Sequence, residues 1–581
     1  MCGIVGYIGN RNAQRVVLDG LKNLEYRGYD SWGIASLTNN KLTIIKEVGA
    51  ISEAPISLLK DPKSTIAISH TRWATTGGVT KTNAHPHWSK NKKIYVVHNG
   101  IIENYQELKK KYKIKPVSET DTEIAAHLIE KFLDLGFEEA FKKTFKLLEG
   151  SNALVAMKVD EKKIVAARTG SPLIVGVGKN EYFISSDVLG FLNFTKNVLY
   201  LDPGEMVVLD PLPRFFSLES GKQVQKRLIT IPWNLSTNEK GSYQHFMIKE
   251  IFEQKKSMRN ALKQNGNLKN AIIQLKKAKN IFLTGCGTAS KVCLFGEYMF
   301  SKVSGKITHF TPSSEFIGKY GNFLGKDSVL ITVSQSGETA DVLEVIKYAK
   351  SRGSKIISIL NALGSSMERI SDYPMMINAG PEQGVASTKA TTGQLSVMSL
   401  LAYGYANKLE EGKRILEELA GKVNDMLNPR YEERIRKIAE SIINQQRMMI
   451  IGKNLNYPIA QEASIKFQEV GYQDAHAFAG GELKHGPLAL VQKDTPCLVL
   501  VSDELSILNN AKEVEARGGN IIGISPKDNT IFNSWIKIPD CGLLTPIAAL
   551  IPIQMLSYHM SILRNINPDK PRNLAKSVTV K

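Results

Sequence analysis

The sequence predicts a multidomain chain of α/β and α+β class: an α+β unit followed by two doubly wound α/β domains. Three observations predict it. At 581 residues the chain exceeds what one hydrophobic core serves, so about three domains are expected. The first ~230 residues mix short apolar strands with amphipathic helices, and beyond them helix alternates with apolar strand, as a parallel sheet with crossover helices requires. That second part also repeats itself. "NIFLTGCGTAS" is echoed by "MMIIGKNLNYPIA", and "SVLITVSQSGETADVLEVIKYAKSRGSKIISI" by "PCLVLVSDELSILNNAKEVEARGGNIIGI". Gly285 to Gly452 is 167 residues, Ser334 to Ser502 is 168 and Gly353 to Gly518 is 165, a near-constant offset that marks a duplicated domain.

In chain order, "CGIVGYI", "TIAISHT", "KIYVVHNG" and "NALVAMKV" read as strands. Helices are expected over 13–25 and over 121–134, the latter introduced by the polar start signal "SETDTE". The polar connector "IPWNLSTNEKGSYQHF" marks the end of the first domain. The expected division is 1–235, a linker 236–245, then 246–425, 426–570 and a tail 571–581. In the first repeat, "GCGTAS" and "SQSGETAD" each follow a strand and open a helix. Small hydroxyl residues there offer N–H and Oγ donors to an anion, although a plain turn and N-cap uses the same residues. Two such loops at the carboxyl ends of neighbouring parallel strands would meet where open α/β sheets bind ligands. A phosphate without a nucleotide fits best, since neither GxGxxG nor a Walker lysine is present. "GVASTKATTGQ" adds further hydroxyls, whereas the second repeat carries "VSDELS" in place of the binding loop. The stretch "LLTPIAALIPIQMLSYHMSIL" (543–563) is read as a buried helix, because two prolines, Gln554, Ser557 and His559 suit no membrane span.

Composition narrows the function. The net charge is +19, but the lysines spread along the chain without a basic motif interleaved with aromatics, so no nucleic-acid partner and no membrane is expected. Five scattered cysteines without a CxxC pair exclude a disulfide framework and a zinc site and fit a reducing, cytoplasmic setting. No signal peptide is expected.

Several residue groups can carry chemistry. Cys2 becomes the first residue if Met1 is removed, with its free amine beside its thiol; otherwise it is a small apolar residue. "HTRWATTGGVTKTNAHPH" (70–87) holds three histidines at no common metal-ligand spacing, and its Arg72 suits a carboxylate. "HNG" (98–100) supplies an amide and a glycine N–H, the donor types of an oxyanion hole, and Asp121 suits an ammonium group. "GELKHGPLAL" places Glu482, Lys484 and His485 in a Gly-flanked segment that is either solvated or functional. "EASIKFQEV" puts Lys466 and Glu469 three apart on one helix face, the spacing also of an ordinary surface ion pair. Lys576 lies in the tail "PRNLAKSVTVK"; a docked, desolvated lysine there could form a Schiff base.

Together these segments resemble the glutamine–fructose-6-phosphate aminotransferase (isomerizing) family over almost the whole chain. The resemblance rests on "MCGIVGYIG", "LEYRGYDSWGIA", "HTRWAT", "NAHPH", "HNGIIENY", "SETDTE", "HFMIKEI", "SQSGETAD", "GVASTKA", "GELKHGPLAL" and "PRNLAKSVTV" in that order. It implies an N-terminal-nucleophile glutaminase of αββα sandwich type, followed by two sugar-isomerase (SIS) domains. By that resemblance Cys2 is the nucleophile, with its own α-amine as base. Asn99 and Gly100 form the oxyanion hole, Arg72, Thr75 and Asp121 hold glutamine, and Trp73 gates the ammonia path. Thr288, Ser334, Gln335, Ser336, Thr339, Val385 and Ser387 bind the sugar phosphate. His485, reaching over from the partner of a homodimer, opens the ring. Lys576 forms a Schiff base with C2, Glu469 moves the proton between C1 and C2, and Lys466 supports it. The tail closes the sugar site, ammonia travels inside the protein, and neither metal nor organic cofactor is implied.

The resemblance implies conversion of fructose 6-phosphate and glutamine to glucosamine 6-phosphate and glutamate. Rival readings are a paralogue acting on another ketose phosphate, a non-catalytic sugar-phosphate sensor and a deaminase using free ammonia. Departures from the family pattern are Thr76 and "GG" after "HTRWAT", Trp32 near Arg27, a residue large enough to crowd the glutamine pocket, Ala289 in place of a serine, Thr391 and Gly393 in "STKATTGQ", His476 in place of an acid, and Lys581.

Overall fold

Residues 2–39, 41–210, 212–231, 240–264, 266–502 and 504–579 are described by a computed structural model. Met1, Lys581 and the first part of the expected linker, 236–239, lie outside them. The chain forms two compact units, Met1–Thr237 with Ala575–Lys581, and Asn238–Leu574.

In the first unit two antiparallel sheets stack face to face. The eight-stranded sheet runs in the order Ile229–Thr230, Asn197–Tyr200, Ile174–Val177, Tyr182–Ser185, Gly3–Ile8, Ile66–Arg72, Ser31–Thr38, Lys41–Val48. Six principal strands of the seven-stranded sheet are Leu212–Ser217, Glu205–Asp210, Ile164–Arg168, Ala153–Lys158, Ile94–Asn99 and His87–Trp88, with the short Gln223–Val224 at one edge. Alternation along a strand decides which face each residue fills. Tyr95 and Val97 turn inward to meet Ile4, Ile68 and Val155 between the sheets, while Ile94 and Val96 turn outward onto Phe141 and Ile124. Helices Glu123–Lys131 and Phe137–Leu147 supply that outer layer, and Ala13–Asn23 packs on the eight-stranded sheet, which completes an αββα sandwich.

The expected strands all form, but the helices are shorter than their patterns. Ala13–Asn23 gives way to a 3-10 turn over Glu25–Arg27, and Glu123–Lys131 ends before the turn Leu133–Leu135. Asn12 caps the first of these helices by accepting the Arg15 N–H at 3.1 Å. Trp32 is buried in Ser31–Thr38 and registers with Thr71. It therefore points to the face opposite Arg72, so the crowding that its size and its nearness to Arg27 raise as a concern does not arise.

The second unit holds the duplication. One five-stranded parallel sheet runs His309–Phe310, Asn280–Thr284, Ser328–Ser334, Lys355–Leu360, Tyr373–Met376. The other runs Asp474–Ala479, Arg447–Gly452, Pro496–Leu500, Asn520–Ser525, Ser534–Lys537, the same order strand for strand. In each, the strand order reverses between the first and third strands of the repeat, Asn280–Thr284 and Ser328–Ser334 in the first and Arg447–Gly452 and Pro496–Leu500 in the second; in the first repeat the loops read above as anion cradles follow those two strands. Helices cover both faces, so Ser328–Ser334 is buried along its whole length, as parallel strands are. Gly285 and Gly452 occupy equivalent turns: a Cβ on either would press within 3.0 Å of the helix that follows, at Ala289 and Asn456 respectively. One apolar cluster runs through both repeats. The 543–563 stretch enters it as Thr545–Leu563; Gly542–Leu563 is apolar and long enough to cross a bilayer, but 89% of its 18-residue apolar window is buried inside the protein.

Asp569 ties the end of this unit to its beginning. Its carboxylate accepts the N–H groups of Phe246 and Met247 at 2.8 Å each, and its carbonyl accepts Val385 N–H at 3.3 Å. Replacing Asp569 by Ala leaves two helix-opening N–H groups without a charged acceptor. We expect a loss of about 1–3 kcal/mol, read as a lower midpoint for the second unit in scanning calorimetry; an unchanged midpoint would show that these bonds carry no net stability.

Candidate functional site

In the first unit Cys2 stands at the mouth of the central strand Gly3–Ile8, between Tyr182–Ser185 and Ile66–Arg72. Its thiol lies against the Trp73 backbone: the Trp73 N–H donates to Sγ at 3.2 Å, and Sγ lies 3.5 Å from the Trp73 carbonyl. The Trp73 ring meets Tyr29 edge-on, with centroids 5.7 Å apart. Two donors converge on the Cys2 carbonyl, Asn99 Nδ2 at 3.0 Å and Arg27 Nε at 3.1 Å.

The orientation of the Asn99 amide follows from its neighbour. His70 Nε2 lies 2.9 Å from the His98 carbonyl and 3.1 Å from Asn99 Oδ1, so it must carry the proton and donate. Burial pushes His70 down to about 3, which keeps the ring neutral at physiological pH. Asn99 Oδ1 therefore accepts, and its NH₂ faces Cys2. Gly100 takes φ +140, and a Cβ there would meet the Ser151 carbonyl at 2.2 Å, so no other residue fits that turn.

The expected glutamine ligands have occupants within the chain. Arg72 is buried, and its guanidinium donates to the carbonyls of Gly78 (2.9 Å), Thr76 (2.7 Å) and Gly77 (3.0 Å). The departure at Thr76 thus enters through its carbonyl, and Gly77 takes φ +82 with Glu119 too near to admit a Cβ. Asp121 Oδ2 accepts the Ile102 N–H at 2.7 Å. Thr75 is exposed. Three polar side chains not singled out from sequence shape this loop. Asp30 accepts the Ala74 N–H at 2.8 Å, Glu119 accepts the Gly78 N–H at 3.0 Å, and Asn83 donates to Glu119 at 2.7 Å. Asp30 lay inside "LEYRGYDSWGIA", which was its only signal.

In the second unit the two hydroxyl loops meet the sheet as expected. Ser334 Oγ accepts the Gly337 N–H at 3.0 Å and lies 3.0 Å from Thr339 Oγ1, while Ser336 Oγ accepts the Glu338 N–H at 3.2 Å. The Gln335 carbonyl accepts Asn361 and Ala362 N–H. Thr288 opens helix Thr288–Ser304. Ser290 does not replace the serine missing at Ala289, because its buried hydroxyl donates back to the Gly287 carbonyl at 2.7 Å. Buried Glu382 organises the third loop by accepting Thr388 N–H, Ala390 N–H and the Ser387 hydroxyl at 2.9, 3.0 and 3.1 Å. Thr391 donates to Ser387 at 3.1 Å. Val385 is held from behind by Asp569, and the preceding Gln383 and Gly384 N–H groups face Glu250 of "HFMIKEI".

Lys466 and Glu469 form no surface pair. Lys466 is fully buried and donates to Glu469 Oε2 at 2.7 Å, with Glu462 Oε1 at 3.4 Å. These carboxylates hold Lys466 charged against burial. His485 ends the turn Gly480–His485, exposed and without a hydrogen bond or ion pair among the described residues. Lys576 is half-buried within the segment grouped with the first unit, whose Thr579 carbonyl accepts the Ser151 hydroxyl at 3.3 Å. His476 is exposed and faces Asp474 at 2.7 Å. In the second repeat the equivalent turn is filled from within: Lys453 bonds Ser506 at 2.6 Å and faces Glu504 at 3.8 Å. Among the described residues no three His, Cys, Asp or Glu side chains gather as a metal site would need, and all five cysteines are free.

The Cys2 thiol is pushed up by burial, while the N-terminal ammonium, the Trp73 N–H, Arg72 and Arg27 pull the other way. It therefore rests protonated at neutral pH and needs a base to react. Alkylation of Cys2 by iodoacetamide, followed by peptide mass spectrometry, should rise with pH through a midpoint above the ordinary thiol value of about 8.5; a midpoint below it would contradict the burial argument.

The glutamine amidotransferase domain family matches residues 70–193, and the SIS domain family matches 274–403 and 441–564, one match on each parallel sheet. The chain is 40% identical over 604 residues to glutamine–fructose-6-phosphate aminotransferase [isomerizing] of Pyrococcus horikoshii and 40% identical over 596 residues to that of Aquifex aeolicus, with 100% of each chain covered. Among solved structures, the C-terminal domain of glucosamine-fructose-6-phosphate aminotransferase from Francisella tularensis aligns with TM-score 0.53 at 31% identity, over 57% of this chain and 99% of that one.

Proposed function

The chain belongs to the glutamine–fructose-6-phosphate aminotransferase (isomerizing) family, and from that premise we propose how its residues divide the work. The enzyme is a glutamine-dependent isomerizing aminotransferase that converts fructose 6-phosphate and glutamine to glucosamine 6-phosphate and glutamate. In our reading Met1 is removed and the α-amine of Cys2 takes the thiol proton. An α-amine titrates at about 7.7–8.0, near neutrality, so it can serve without a neighbouring histidine. The thiolate attacks the side-chain amide of glutamine, and a thioester forms as ammonia leaves. Asn99 and Gly100 steady the oxyanion, Arg72, Thr75 and Asp121 take the amino-acid head, and Trp73 controls the exit of ammonia. The observation that carries this half is the Asn99 amide, turned by His70 so that its NH₂ lies 3.0 Å from the Cys2 carbonyl.

For the sugar half, Thr288, Ser334, Gln335, Ser336 and Thr339 take the phosphate and hydroxyls, with Val385 and Ser387 beside them. His485, supplied by the partner in a homodimer, opens the ring; its exposure supports such an arrangement. Lys576 forms the Schiff base at C2, Glu469 carries the proton between C2 and C1, and Lys466 steadies it. The ammonia released at Cys2 reaches the sugar without equilibrating with solvent, where it would be protonated. We place the enzyme in the cytoplasm, in keeping with its free cysteines.

Cys2→Ala should abolish glutamine-driven synthesis, by at least about 10³-fold, while ammonium salt still supports product; synthesis from glutamine at the wild-type rate would remove Cys2 from the mechanism. With ¹⁵N-amide glutamine in excess unlabelled ammonium, the product should keep the label. Dilution to the bulk ratio would show that ammonia escapes. A second reading, another ketose phosphate as the preferred substrate, draws on Ser290 being bonded away from the loop beside Ala289. A product assay across ketose phosphates decides between the two.

A further inference from the structure

Helix Asn456–Gly471 carries a third ionisable group that the roles above leave unused. Glu462 is 1% exposed. Its Oε1 accepts the Thr288 hydroxyl at 3.1 Å and lies 3.4 Å from Lys466 Nζ, which in turn donates to Glu469 at 2.7 Å. Its Oε2 is buried and has no hydrogen-bond partner among the described residues. One carboxylate thus touches both a residue assigned to the phosphate and the ammonium that serves the assigned base.

We propose that Glu462 is a positioning residue that links the phosphate loop, through Thr288, to the Lys466–Glu469 pair and sets how much of the Lys466 charge Glu469 receives. This rests on the roles given above to Thr288, Lys466 and Glu469.

The surroundings make the link electrostatic. Lys466 and Glu469 face Glu462 from its own helix, and Thr288 and Lys291 face it from Thr288–Ser304. Glu382 reaches Lys466 from the third loop. Three carboxylates therefore act on one fully buried ammonium, with Lys291 the only further cation facing Glu462 among the described residues, and that excess of negative charge is relieved most readily by a proton. Burial and Glu469 push Glu462 up to about 7 against the pull of Lys466 and Thr288. With the proton on Glu462, the Lys466 charge falls more fully on Glu469 and lowers its basicity. With Glu462 ionised, Lys466 is shared and Glu469 becomes the stronger base. A phosphate ester at the Thr288 loop adds negative charge and draws the Thr288 hydroxyl away. Both effects favour protonated Glu462, so sugar-phosphate binding takes up a proton from solvent, with Oε2 open to receive it.

The test is glucosamine 6-phosphate synthesis by the full-length enzyme from about pH 5.5 to about 9, with kcat and the KM for fructose 6-phosphate measured separately. The wild-type kcat should show a step near neutrality. Glu462→Gln keeps an acceptor for Thr288 but cannot titrate. It should lose that step, with kcat down about tenfold and KM within about twofold. Glu462→Asp should keep a step, and Thr288→Val, which removes a hydrogen bond to the charged form in the free enzyme, should move the matching step in kcat/KM to higher pH. A Glu462→Gln profile that retains the wild-type step, or a loss confined to KM, overturns the proposal. If Glu462→Gln does not fold, an unmoved kcat/KM step in Thr288→Val overturns it instead. Glu469→Gln separates the underlying reading: full synthesis by that variant would remove the base itself, whereas lost synthesis with an unchanged Glu462→Gln profile would reject only the link.

Discussion

A lysine cut off from water keeps its charge only with carboxylates at hand, and Lys466 meets that condition with Glu469 at 2.7 Å and Glu462 at 3.4 Å. Much of the second unit is arranged around this requirement. Helix Asn456–Gly471 must lie close enough to Thr288–Ser304 to exclude water from the lysine, and both helices must start just past glycines that admit no side chain. The same approach brings Thr288, at the first turn of its helix, against Glu462. Sheet order, helix packing and ion pairing are therefore one constraint seen at three scales.

The first unit solves a different problem, that of holding a small nucleophile still at the head of a strand. Cys2 has strands on both sides of its own, the Trp73 backbone against its sulfur, and Arg27 and Asn99 on its carbonyl. Neutral His70 orients Asn99 without adding charge beside the thiol. Protein groups occupy both the Arg72 fork and the Asp121 carboxylate, so binding of an amino acid there must exchange those bonds for its own.

Patterning made the scaffold legible. Period-two alternation located the sandwich strands, and the constant offset between repeats anticipated two sheets of identical order. Local chemistry was less so. Glu462 sits four residues before Lys466, a spacing that in sequence reads as a solvated pair. Its burial depends on a helix more than 150 residues earlier, which no local pattern reports. Asp30 and Glu119 act on backbone N–H groups, and a carboxylate that caps a loop looks in sequence like any other. Trp32 shows the opposite failure: its size raised a concern about the pocket, yet strand parity turns it to the other face. Helix ends ran short where 3-10 turns took over the last residues of the apolar pattern.

The single apolar cluster through both parallel sheets separates two units of description that sequence treats as one. By ancestry the repeat is the module; by the packing of the largest apolar cluster the module is the whole of Asn238–Leu574. A chain severed between Asn424 and Pro429 would part helix Asn456–Gly471 from Thr288–Ser304 and helix Thr545–Leu563 from Phe246–Phe252, although each fragment keeps an intact sheet. Severed between the two compact units, each part would keep its own apolar core. Duplication here has produced a pair whose halves share one buried apolar face.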